Sequence, residues 1–280
     1  MTTQPGFATR LKQSFGEFGH LCVGIDPHPF LLKAWGYDDD IASLKEFSLR
    51  CLDASVDQVG LIKPQVAFYE RYGSAGFAVL EDLIRRARTA GIQVISDAKR
   101  GDIGTTMDAY TATWLGAGSP LESDAVTVSP YLGVGALQSA FATADANGKG
   151  VFVLAATSNP EAAGLQKAHT DHGTSVAASV LADVASRSLA ATDPGSFGVV
   201  LGATLRLETF GIDTASIYPV PVLAPGFGAQ GAQVRDAKGL FGALAQNLIV
   251  AQTRSILEVG PDGVREAIKR EQAETADALA

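Results

Sequence analysis

Two acids bracket one lysine in the stretch Asp97-Ala98-Lys99-Arg100-Gly101-Asp102, directly after the apolar run Ile92-Gln93-Val94-Ile95. Side chains alternate faces along a strand, so Asp97 and Lys99 are expected to point the same way. Gly101 lets the chain turn, and Asp102 can then return toward the same ammonium group. Nearby negative charge favours a protonated lysine. Such a lysine suits proton donation better than Schiff-base chemistry, which needs a depressed pKa. The same residues would also make a plain salt-bridge cluster at a strand end, because structural ion pairs perturb charge in the same way. The Arg-Gly-Asp tripeptide inside the stretch is short enough to recur by chance.

The elements that must hold this cluster alternate along the chain. Residues 1–20 read as a short helical cover around Phe7, Leu11 and Phe15. Strand-like runs follow at 21–25, 60–64, 92–99, 124–128, 151–155, 198–202, 220–224 and 247–251. Most of the intervening segments carry apolar residues at helical spacing, as in Ile41, Leu44, Phe47, Cys51, Leu52 and Val56. Two stretches read as irregular: the loop 28–40, and a long loop from Thr157 to about Gly173 that precedes a helix reaching about Ala190. Apolar strands flanked by helices argue for a parallel sheet. Eight β/α units in 280 residues argue for one closed (β/α)8 TIM barrel over residues 1–280 rather than an open doubly wound sheet.

In such a barrel the active site lies at the carboxyl ends of the strands. Asp26 ends the first strand, Lys63 the second, and Asp97 and Lys99 the third. Each alone has an ordinary reading as a turn, cap or solvated strand end. Together they are four charges converging from three adjacent strands, and such a group is costly to bury without partners. The loops after strands seven and eight commonly hold phosphate. There the chain has Pro225-Gly226-Phe227-Gly228-Ala229-Gln230-Gly231, and then Thr253-Arg254. A glycine-rich loop bares backbone N–H groups, Arg254 adds a fixed charge, and Gln230 can donate from above. The literal Gly-x-Gly-x-x-Gly match is not a dinucleotide fingerprint: it falls late in the chain and no acid follows about twenty residues on.

Composition narrows the function classes. The formal net charge is −8 and no long basic run occurs, which argues against a broad nucleic-acid surface. No apolar segment approaches membrane-spanning length, and the N-terminus does not read as a signal peptide. Two cysteines, Cys22 and Cys51, fall in strand and helix interiors and are expected as free buried thiols. These features lead us to expect a soluble cytoplasmic protein. The pair His169-x-x-His172 lies in a polar, glycine-bounded loop and reads as solvated. No clear metal-ligand spacing occurs, and no cofactor is expected.

The segment Asp97-x-Lys99-Arg100-Gly101-Asp102-Ile103-x-x-Thr106 resembles the signature of the orotidine 5′-phosphate decarboxylase family. The likeness continues in Val23-Gly24-Ile25-Asp26-Pro27, Ile62-Lys63-Pro64-Gln65, Thr157-Ser158-Asn159-Pro160, Pro225-Gly226-x-Gly228-x-Gln230-Gly231 and Thr253-Arg254-Ser255-Ile256. The N-terminal cover and the two long loops resemble the longer, type 2 branch. The resemblance implies a cofactor-free decarboxylation of orotidine 5′-monophosphate to uridine 5′-monophosphate, the last step of de novo pyrimidine synthesis. It implies that Lys99 protonates C6 as carbon dioxide leaves, with Asp97 beside the departing carboxylate and Lys63 and Asp102 completing a charge network. Asp26 and Lys63 would contact ribose hydroxyls with Thr106 nearby, and Ser158 would bond the pyrimidine. Gln230 and Arg254 would grip the phosphate, and Thr253 would be a further substrate-binding residue. It further implies a homodimer in which Asp102 and Thr106 enter the partner's site. Two other readings stay open from the residues: a related barrel enzyme acting on a sugar phosphate with magnesium, and a non-catalytic phosphate-ligand binder.

Overall fold

The computed structural model describes residues 5–188, 195–216 and 218–280. Eight parallel strands close into a barrel in sequence order: β1 (Leu21–Ile25), β2 (Leu61–Pro64), β3 (Gln93–Arg100), β4 (Ala125–Val128), β5 (Gly150–Ala156), β6 (Phe197–Leu201), β7 (Val222–Pro225) and β8 (Leu248–Gln252). Pairing of β1 with β8 closes the ring, with Leu21 against Val250 and Val23 against Gln252. The expected fold is therefore the observed one, with strand ends within about two residues of the expected ones for most strands.

Alternation along the strands sorts side chains into two apolar layers. Outward residues such as Val23, Ile62, Val94 and Val126 pack under the helices. Inward residues Cys22, Leu61, Ile95, Ala125, Phe152, Leu223 and Ile249 fill the barrel interior. The expected N-terminal cover is the helix Phe7–Phe18, and it plugs the amino-terminal end of the barrel. The Phe7 ring meets Phe152 edge-on at 6.0 Å. A Cβ on Gly150 would stand 2.6 Å from that ring, so a side chain there would displace the plug. Residues 1–4 of the expected cover lie outside the described residues.

Two expected loops carry structure of their own. The stretch 28–40 holds the helix Pro29–Ala34, opened by a proline at its first position, where the missing N–H costs nothing. The stretch 157–173 holds a 3₁₀ turn at Pro160–Ala162 and a short helix at Ala163–Gln166. Both are too short for helical periodicity to reveal them. The helix expected to reach about Ala190 is seen as Val176–Ser188, and its expected end lies outside the described residues. Both cysteines are free and buried; burial pushes the Cys22 thiol up to about 12.

Candidate active site

The inward positions that are apolar deep in the barrel turn polar one step nearer its carboxyl end. Lys63 lies two residues beyond Leu61, Asp97 two beyond Ile95, and Thr127 two beyond Ala125. Asp26 follows β1 directly. These residues meet. Lys63 Nζ lies 3.1 Å from Asp97 Oδ2 and 3.8 Å from Asp26 Oδ1, with only 7% of its side chain exposed. Burial works against the Lys63 charge, but Asp26 and Asp97 outweigh it and hold the group above the ordinary lysine range. Burial likewise opposes ionisation of Asp97, yet Lys63 and Lys99 hold its carboxyl well below the usual range. The result is a buried anion between two cations. Lys63 stands between the two carboxylates. Among the described residues no cluster of three or more His, Cys, Asp or Glu side chains is placed to hold a metal ion.

Asp97 accepts four hydrogen bonds. Oδ1 receives Lys99 Nζ at 2.7 Å and Thr127 Oγ1 at 2.8 Å, while Oδ2 receives Lys63 Nζ and Gln65 Nε2, both at 3.1 Å. Gln65 Oε1 in turn faces Lys99 Nζ at 3.4 Å. Lys99 is the outermost member, with 44% of its side chain exposed. Its backbone has φ +49°, a left-handed conformation that costs a lysine roughly 1–2 kcal/mol. The strain falls where the register between β3 and β4 shifts, between Ser96 and Arg100. Strained backbone of this kind persists only where surrounding contacts hold it.

Asp102 departs from the expected arrangement. Its carboxylate accepts the backbone N–H of Ile103 at 2.8 Å and makes no bond to Lys99 within the chain. Gly101 packs so closely on the Ser129 carbonyl that an added Cβ would come within 2.5 Å of it. The segment therefore runs out over the rim into the helix Gly104–Leu115 instead of folding back. Thr106 stands exposed in the first turn of that helix, and neither residue lines this chain's own cavity.

The cavity has a volume of about 380 Å³ and opens beside Lys99. Asp26, Lys63, Ser158, Gln230, Thr253 and Arg254 all reach it, as the sequence led us to expect. Thr253 Oγ1 donates to Asp26 Oδ2 at 2.9 Å. A Cβ on Gly24 would lie 1.8 Å from that hydroxyl, so the bond depends on the glycine. The other oxygen, Asp26 Oδ1, is buried, has no hydrogen-bond donor among the described residues and faces Lys63 Nζ at 3.8 Å. At the far end, Gly226, Gly228 and Gly231 all have positive φ, which folds the loop into a tight turn beside Arg254. Among the described residues Arg254 has no ion-pair partner, which leaves its guanidinium free for an anion.

Four contributors escaped the sequence reading. Thr127 was the one polar residue inside the apolar run of the fourth strand, and its inward register was the available signal. Gln65 was noticed only as part of a motif. His28 and Phe30 sit on the rim, with the His28 ring 4.1 Å from Phe68 and 5.0 Å from Phe30. Burial lowers the His28 pKa; Asp26 opposes this, while Arg254 and Lys63 add to it. His169 and His172 are exposed on the long loop and take no part in the cavity.

The model of the orotidine 5′-phosphate decarboxylase / HUMPS family matches residues 19–270. The chain belongs to this family. It is 50% identical to the orotidine 5′-phosphate decarboxylase of Salinispora tropica over 92% of each chain. It is 48% identical to that of Streptomyces coelicolor over 91% of each. Among solved structures, a provisionally assigned orotidine 5′-phosphate decarboxylase from Streptomyces avermitilis superposes with a TM-score of 0.94 at 46% identity, covering 99% of this chain and 97% of that one. The decarboxylase family thus accounts for the barrel and for nearly the whole chain length.

Proposed function

We propose that this chain decarboxylates orotidine 5′-monophosphate to uridine 5′-monophosphate and carbon dioxide without a cofactor, with Lys99 as the proton donor. The observation that carries this reading is the Lys63–Asp97–Lys99 chain at the cavity, with its cationic end turned outward. Decarboxylation breaks the bond between C6 and the carboxylate carbon and leaves the electron pair on C6. The ring offers that pair no conjugated sink. An ammonium already fixed beside C6 stabilises the developing charge and then transfers its proton there. Lys99 leaves the step neutral and is recharged from solvent.

Asp97 in this reading lies beside the substrate carboxylate. It cannot swing away, because four donors hold it, and it cannot take a proton readily, because two lysines hold it ionised. Loss of carbon dioxide therefore removes a like charge from its side. Asp26 and Lys63 contact the ribose hydroxyls; both line the cavity. Ser158 bonds the pyrimidine. Gln230 and Arg254 grip the phosphate, and Thr253, bonded to Asp26, is a further substrate-binding residue.

The proposal includes a homodimer in which Asp102 and Thr106 complete the partner's site, with residues 1–280 forming one domain. Support comes from the direction of the segment over the rim and from the exposed apolar side chains beside it, with Ile103 at 62% and Tyr131 at 76%. Among the described residues no helix is long and apolar enough to cross a membrane. A cytoplasmic location also belongs to the proposal, and two unpaired buried thiols suit a reducing compartment. Turnover of orotidine 5′-monophosphate followed by ultraviolet absorbance, with and without a chelator, tests the activity. Chelator-insensitive turnover is the expected result. Failure of the folded chain to turn over this nucleotide would contradict it.

A further inference from the structure

Thr127 is fully buried at the carboxyl end of β4, on the inward face. Its hydroxyl makes two bonds: it donates to Asp97 Oδ1 at 2.8 Å and accepts the backbone N–H of Lys99 at 3.0 Å. The directions follow from valence. An ionised carboxylate can only accept and a backbone N–H can only donate, so the single hydroxyl proton goes to Asp97. The bond to Lys99 falls at the interruption of the β3–β4 register, where the lysine backbone is left-handed.

We propose that Thr127 is a positioning residue for the decarboxylation, tying the backbone bend that aims Lys99 to the carboxylate that Lys99 must leave when it gives up its proton. This rests on the decarboxylase reading above. Thr127 does not line the cavity, so it acts through its two partners and not on the substrate. The other Asp97 oxygen is held independently by Lys63 and Gln65. Removal of the hydroxyl should therefore leave the cluster assembled but free Lys99 to relax from its bend. The hydroxyl's two bonds go to Asp97 and Lys99 and not to Asp26 or Arg254, the groups proposed to bind ribose and phosphate, so ground-state binding should survive.

The experiment compares kcat and KM for orotidine 5′-monophosphate in the parent chain, Thr127→Val and Thr127→Ser, with thermal unfolding and uridine 5′-monophosphate binding as controls of fold. Valine keeps the shape without the hydroxyl; serine keeps the hydroxyl without the methyl group. The expected result is a fall in kcat of about 10- to 100-fold for Thr127→Val with KM nearly unchanged, of the order that small misplacements of a reacting group cost, and kcat close to the parent's for Thr127→Ser. Equal kcat for the parent and Thr127→Val overturns the inference. Equal losses in the valine and serine variants also overturn it, because packing of the methyl group would then be the cause. If Thr127→Val does not fold, Thr127→Ala against Thr127→Ser decides: loss in alanine alone supports the role, and equal loss overturns it. A parent chain inactive on this nucleotide overturns the decarboxylase reading, and this inference falls with it.

Discussion

Lys99 holds its ammonium 2.7 Å from Asp97 Oδ1 while its own backbone is bent to φ +49° two residues further along the same strand. Residues two apart on a strand share a face. With the bend, the two form a direct ion pair whose cation lines the cavity.

The ion-pair chain sets a pH window for stability. Asp97 is held ionised below its ordinary range by Lys63 and Lys99 against the effect of burial, so its contribution is present above about pH 4 and is lost as pH falls further. Lys63 is raised, against burial, by Asp26 and Asp97. Its contribution is present below about pH 10 and is lost as pH rises through the folded value. The unfolding free energy contributed by the pair should thus be flat between these limits. Urea midpoints of the native chain and Asp97→Asn, measured from pH 3 to pH 8, should converge as the pH is lowered below 4; a constant difference would contradict the assignment.

The barrel plug is expected to act on stability and not on chemistry. Phe7 is fully buried against Phe152 at the end of the barrel away from the cavity. Phe7→Ala should cost about 3–5 kcal/mol in urea unfolding, the range for a large buried aromatic. Measured well below its midpoint, the variant should keep the native kcat. A drop in kcat with unchanged stability would show that the plug communicates with the site.

Arg254 lines the cavity's far end with no ion-pair partner among the described residues, and its removal should be felt in binding. Arg254→Ala should weaken uridine 5′-monophosphate binding by about 1.5–3 kcal/mol, the usual worth of a hydrogen bond to a charged group, roughly 10- to 150-fold. Uridine without phosphate should bind both forms alike. Titration calorimetry with the two ligands checks this, and equal loss for both would remove Arg254 from the phosphate role.

Asp102 carries the dimer proposal. Lys99→Ala and Asp102→Ala homodimers should each be inactive, and mixing them under subunit exchange should restore activity. With random exchange, half the dimers are mixed and each holds one intact site, so roughly a quarter of native activity should return. No recovery despite demonstrated exchange would place Asp102 in its own chain's site.

The sequence carried the barrel and most of the cavity because both obey periodic rules. Apolar strands at regular intervals specify the ring, and charged residues at successive strand ends mark its mouth, so Asp26, Lys63, Asp97, Lys99 and Arg254 were legible. Asp102 was misread within the chain because a glycine signals freedom to turn but not a direction. Here Gly101 serves close packing against Ser129, and the chain leads outward. Thr127 went unseen because its role depends on a register shift between β3 and β4, which no single strand's pattern contains. Gln65 and His28 sit on segments with no regular period, where only the folded chain brings them to Asp97 and Phe68.

The most direct test of the central claim is turnover of orotidine 5′-monophosphate by Lys99→Ala beside the native chain, both with chelator present. The account predicts that native turnover is unaffected by the chelator. It also predicts that the variant loses at least about 100-fold in kcat, the scale of a missing proton donor, while still binding uridine 5′-monophosphate. A variant that decarboxylates at the native rate would contradict the role given to Lys99. A native chain that ignores this nucleotide but turns over a sugar phosphate with magnesium would contradict the function itself.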